Sequence, residues 1–124
     1  MTKSKNKIKN ELIMRTTQEV LDHHLGAFNE GMESILSDYD ENSCVISQQG
    51  IFKGMTEIQG FFTAFVEGMP EGMMDVFKVT GQQVDGEVAY ITWEALPWFP
   101  LGTDTFVIRD GKILYQTFAA HAAD

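Results

Sequence analysis

Residues 74–120 read MDVFKVTGQQVDGEVAYITWEALPWFPLGTDTFVIRDGKILYQTFAA, and this stretch decides the fold. Four runs in it, 74–83, 88–96, 103–109 and 113–120, are rich in β-branched and aromatic residues and read as strands. Val84-Asp85-Gly86-Glu87 separates the first two, and Arg109-Asp110-Gly111-Lys112 separates the last two. Asp-Gly supplies the positive backbone φ that tight hairpin turns need, so each flanking pair is expected to join antiparallel. The middle link holds Pro97, Trp98, Pro100 and Gly102, too much proline for a central strand. In the second run Ala89, Ile91, Trp93 and Ala95 share one face, while Val88 and Tyr90 share the other. Both faces of the sheet are therefore partly apolar.

Upstream of this stretch the period changes from two to that of a helix. Thr16-Thr17-Gln18-Glu19 has the spacing of a capping box, with Thr16 as cap and Glu19 reaching back. Val20, Leu21, Leu25, Phe28 and Met32 follow at helical spacing, and Gly31 interrupts them, so residues 32–36 are expected as a further short turn of helix. Residues 43–49 alternate and read as a strand, Gln49-Gly50 as a turn, and 51–53 as a short return strand. A third helix is expected over 55–67, with Ile58, Phe61, Phe62, Phe65 and Val66 as its stripe, and Met69-Pro70-Glu71-Gly72 ends it. Helices segregated from an antiparallel sheet make an α+β domain. Helices cover only one face of a single sheet, so the outer face is expected to meet a second copy of the chain.

The chain has 124 residues, 44% hydrophobic and 22% charged, which suits one globular core. Residues 1–15 carry five basic side chains against Glu11 and are expected to form a flexible basic arm, leaving 16–124 as a single domain. The overall charge of −9 disfavours nucleic acid and anionic membranes as partners. Cys44 is the single cysteine, which excludes an intramolecular disulfide and fits a cytoplasmic address. His23, His24 and His121 show no metal-binding spacing, so no metal is expected. No apolar run matches a secretory signal or a membrane span.

The order of elements, with three local motifs, resembles the nuclear transport factor 2-like superfamily, in its SnoaL-like and ketosteroid isomerase-like branch. The motifs are Phe28-Asn29-Glu30-Gly31-Met32-Glu33-Ser34-Ile35-Leu36-Ser37-Asp38-Tyr39, Phe52-Lys53-Gly54-Met55-Thr56-Glu57-Ile58, and Gly102-Thr103-Asp104-Thr105-Phe106-Val107-Ile108-Arg109-Asp110-Gly111-Lys112-Ile113. The resemblance covers about residues 16–121. It implies a cone-shaped α+β barrel, three N-terminal helices packed on a curved, mainly antiparallel sheet, with an apolar pocket at the cone's open end and no cofactor. Members include isomerases, cyclases, dehydratases and binding modules, so the fold does not decide the activity. The expected partners are a second subunit, through the outer sheet face, and a small apolar ligand. Three functions stand: a cofactor-independent isomerase, cyclase or dehydratase of a small apolar carbonyl compound, a non-catalytic binding module, or a structural homodimer with a vestigial pocket.

Three residues are the catalytic candidates. His24 sits in the apolar stripe of the first helix, either as a pocket acid, base or donor, or as a core histidine bonded to a hydroxyl. Asp104 shares a strand face with Phe106 and Ile108, where burial would raise its carboxyl pKa. The resemblance places it where ketosteroid isomerases hold a protonated aspartic acid. His24 falls where those enzymes have a tyrosine, and Ser47 where they have the aspartate base, two departures that count against steroid isomerisation. Tyr39 ends the short second helix, and a bond to His24 is expected. The ligand-binding candidates are Ser47, Phe62, Phe65, Trp93, Trp98, Phe106, Phe118 and His121, an apolar lining with polar groups at its mouth.

Overall fold

The computed structural model describes residues 14–124; the basic arm expected over 1–15 thus lies, up to residue 13, outside the described residues. Helix α1 (Thr17–Ala27) opens with the capping box complete: Glu19 N–H donates to Thr16 Oγ1 at 3.1 Å, and Thr16 N–H donates to the Glu19 carboxylate at 2.9 Å. Those bonds hold the Glu19 carboxyl below its ordinary pKa. The helix buries Val20, Leu21, His24 and Ala27. Gly31, at φ +113°, makes the turn that no L side chain favours, and α2 (Met32–Leu36) follows. A hairpin of β1 (Cys44–Ser47) and β2 (Gly50–Lys53) leads into α3 (Gly54–Gly68), which buries Ile58, Phe61 and Phe62.

The rest is a short helix, α4 (Met73–Val76), and four strands, β3 (Phe77–Asp85), β4 (Val88–Ala95), β5 (Phe99–Arg109) and β6 (Lys112–His121). Two boundaries differ from expectation. The run expected to start at residue 74 starts at Phe77, because Gly72 in the left-handed region turns the chain into a short helix that buries Met73. The last but one strand starts at Phe99 rather than 103, and so includes Pro100. Opposite it the β4–β5 register slips between Trp93 and Ala95, so Pro100 sits in a bulge where its missing N–H breaks no ladder bond.

The six strands form one sheet in the order β2-β1-β6-β5-β4-β3, antiparallel throughout except for β1 beside β6. The sheet is curved and open, with β2 and β3 at its edges. α1 and α3 pack on its concave face over a core of Leu21, Ile58, Ile91, Phe106 and Ile113. Arg15, counted with the arm in the sequence, is docked on the domain. It donates to the buried Asp38 carboxylate at 2.8 Å and to the Gly111 carbonyl at 2.7 Å, and His23 Nδ1 meets the same carboxylate at 2.8 Å. Among the described residues no helix is long and apolar enough to cross a membrane.

Candidate functional site

A cavity of about 50 Å³ opens to solvent between α1, α3, α4 and the concave face of the sheet. Phe28, Phe62 and Phe65 form its helical wall, and Trp93 and Phe118 its sheet wall. Three polar side chains interrupt this apolar lining: His24, Asp104 and Gln116. Alternation places the last two. On β5 Asp104 points inward with Phe106, and on β6 Gln116 points inward with Phe118. Asp104 stands opposite Phe118 in the ladder, so the carboxylate and the amide are diagonal neighbours. Gly102, opposite Trp93, completes the arrangement: a Cβ there would lie 2.0 Å from the indole, so only glycine lets the ring lie across β5.

These groups form one buried string. Trp93 Nε1–H donates to Asp104 Oδ1 at 2.8 Å, and Gln116 Nε2–H donates to Asp104 Oδ2 at 2.8 Å. Tyr39 O–H donates to Gln116 Oε1, and the Tyr39 oxygen lies 3.4 Å from His24 Nδ1. The His24 ring packs edge-on against Phe28, Phe62 and Phe106, with centroids 5.2 to 6.2 Å away. Among the described residues no buried side-chain nitrogen or oxygen lacks a partner, and the partner given for His24 is on Nδ1. Nε2 is therefore the nitrogen left to the cavity that the ring lines.

Burial dominates the protonation states. It pushes His24 down to about 4, against a smaller opposing pull from the Asp38 charge, so the ring is neutral at pH 7. It pushes Asp104 up to about 6, although the bonds from Trp93 and Gln116 favour the ionised form. It also raises Tyr39 well above the ordinary phenol value, with help from the charges of Asp104 and Asp38, so Tyr39 keeps its proton.

The cavity thus gathers His24, Asp104, Phe62, Phe65, Trp93 and Phe118, and Tyr39 joins it from behind through Gln116. Four expected lining residues lie elsewhere. Phe106 is wholly buried behind His24, as core. Ser47 ends β1, where its hydroxyl donates to Gln49 Oε1 at 3.0 Å and accepts from Gln49 N–H at 3.2 Å, the local bonds of a hairpin turn. Trp98 belongs to the β4–β5 link, half-buried against the core, with its carbonyl accepting from Ala123 N–H at 2.8 Å. His121 is exposed, at the end of β6 opposite Leu101. Gln116 is not among the residues the sequence reading singles out; its signal there is a lone amide alternating with Phe118 and Ala120 on an otherwise apolar strand face. No cluster of His, Cys, Asp and Glu fit to hold a metal occurs among the described residues.

No protein-family model matches this sequence, and no curated protein matches it. Solved structures do. An NTF-2 like protein of unknown function from Burkholderia xenovorans is 19% identical, over 87% of this chain and 83% of that one, with a TM-score of 0.67. A SnoaL-like family protein from Agrobacterium tumefaciens is 16% identical, over 82% and 94%, with a TM-score of 0.63. A protein with a ketosteroid isomerase-like fold from Catenulispora acidiphila is 13% identical, over 81% and 83%, with a TM-score of 0.62. An open, curved, mainly antiparallel sheet with helices on its concave face, shared with these proteins along four-fifths of the chain or more, is the nuclear transport factor 2-like fold, and this chain has it.

Proposed function

We propose that the protein is a cofactor-independent acid–base catalyst, of isomerase, cyclase or dehydratase type, acting on a small apolar carbonyl compound. The observation that carries this is His24: a neutral imidazole in the wall of an apolar cavity, one nitrogen held from behind and the other left to the cavity. A general base must reach its substrate in the proton-accepting form. Burial secures that form at any pH well above 4. Tyr39, Gln116 and Asp104 act behind the ring as the aspartate acts behind the histidine of a catalytic triad, orienting it and favouring the imidazolium formed when it takes a proton. His24 then returns that proton to another atom of the substrate, or to a departing hydroxyl. The aromatic walls keep competing water away. We also propose that the protein is a homodimer, joined through the outer face of the sheet.

The test is exchange of the acidic α-hydrogens of β-tetralone, a flat apolar ketone, in heavy water, followed by mass spectrometry. The wild-type protein is expected to accelerate exchange over buffer, and His24→Ala to lose roughly 100-fold of that acceleration. Binding of the ketone without accelerated exchange supports instead the non-catalytic binding module, and neither supports a vestigial pocket.

A further inference from the structure

The direction of each bond in the buried string follows from its far end. Ionised Asp104 only accepts, and it takes one proton from Trp93 and one from Gln116. With its amide nitrogen turned to Asp104, Gln116 presents Oε1 to Tyr39, which donates to it. Tyr39 has one O–H. Once that proton is spent on Gln116, the phenol oxygen meets His24 Nδ1 only as an acceptor. Neutral His24 must therefore carry its proton on Nδ1, and Nε2 offers the cavity a bare lone pair. The titratable groups facing the string are Asp104 from β5, Tyr39 from the end of α2 and His24 from α1, while Asp38 and His23 act on His24 from behind.

We propose that the cavity is an acceptor site, in which Gln116 fixes His24 in the Nδ1–H tautomer, and that it takes its carbonyl compound through an acidic hydroxyl, that of the compound's enol form or of a phenol it carries. The donors of Trp93 and Tyr39 are spent within the string, which leaves the second Gln116 N–H as the one side-chain donor over. A bare carbonyl would set its lone pairs against the Nε2 lone pair and the Asp104 carboxylate. A hydroxyl donates to either. Gln116 is thus a positioning residue, acting through Tyr39 on the ring that meets the ligand. The inference deepens the acid–base reading and rests on the same cavity, but its test needs no turnover.

Two measurements decide it. In ¹⁵N NMR of the labelled protein at pH 7.5, His24 is expected to show a protonated Nδ1 and an unprotonated Nε2. Gln116→Met frees the Tyr39 hydroxyl to donate to Nδ1, so the proton is expected to move to Nε2. Should that variant fail to fold, Tyr39→Phe removes the same restraint and is expected to abolish the Nδ1–H preference. In binding, β-naphthol is expected to be held about fivefold more tightly than its methyl ether or β-naphthaldehyde, the gain of one net hydrogen bond. A wild-type ring protonated on Nε2, a tautomer unchanged in the variants, equal or tighter binding of the aldehyde, or no binding of any probe overturns the proposal. The tautomer found as stated, with no exchange of β-tetralone, overturns the catalytic reading alone.

Discussion

His24 and Asp104 are perturbed in opposite senses by one cause, the removal of water from their charged forms. The consequences for stability oppose each other. His24 falls from 6.5 to about 4 on folding, so between those values the unfolded chain binds more protons and stability rises with pH. Asp104 rises from 3.8 to about 6, so over nearly the same range the folded chain binds more protons and stability falls with pH. Each effect is worth about 3 kcal/mol, and in the wild-type protein they nearly cancel. Urea unfolding between pH 4 and 6.5 is therefore expected to give an almost flat stability. Asp104→Asn leaves the histidine alone, and stability should then rise by about 3 kcal/mol across that range. His24→Phe leaves the carboxyl alone, and stability should fall by a similar amount. Parallel slopes in the two variants would show that one of the two groups keeps its water on folding. The cancellation lets the domain keep two opposed titratable groups in its core without a marked pH optimum.

At the scale of elements the site depends on the register of three strands. Trp93 faces Gly102, Asp104 faces Phe118, and Gln116 faces Phe106, so a slip of one residue on β5 would send the carboxylate to the outer face. Gly102→Ala tests this directly. Its Cβ would fall inside the indole, so Trp93 must swing away and release Asp104 Oδ1. The expected loss is about 2 to 4 kcal/mol, from strain and from one buried acceptor left without its donor. Fluorescence of Trp93 should shift as the ring leaves its slot, and thermal unfolding should fall with it. The same dependence explains what the sequence discloses and what it does not. The capping box at Thr16 and the Asp-Gly hairpins are local, written within four residues, and they stand where expected. The short helix α4 and the bulge at Pro100 answer to packing elsewhere in the molecule, which no local pattern records. Among the site residues, His24, Asp104, Trp93 and Phe118 follow from face and period alone. Gln116 becomes visible only when β5 and β6 are aligned. Ser47, Trp98 and His121 lie outside the lining because the reach of the cavity is set by where the strands end and the chain turns.

At the scale of the whole molecule one face of the sheet is covered and the other is bare. Val88 stands opposite Val107, Val107 opposite Tyr115, and Tyr90 lies beside them, with Val88, Tyr90 and Tyr115 each 40 to 48% exposed. A continuous apolar band on an open sheet is the surface a second copy would cover, and a stable pair needs about 800 Å² from each partner. Charge opposes the pairing, since each chain carries −9. Salt screens that repulsion over about 10 Å at 0.1 M without weakening the apolar contact, so association should tighten as salt rises. Native mass spectrometry and light scattering are expected to show a dimer, more complete at physiological salt than at low salt. Tyr90→Glu places a further charge at the centre of the band and should give a monomer. The cavity opens on the opposite face, so that monomer is expected to bind β-naphthol as the wild-type protein does. A wild-type monomer at every salt concentration would remove the second subunit and leave the band without a role. Loss of β-naphthol binding in a folded Tyr90→Glu monomer would show instead that the two faces are coupled through the sheet, and that the pocket is held in shape by the dimer.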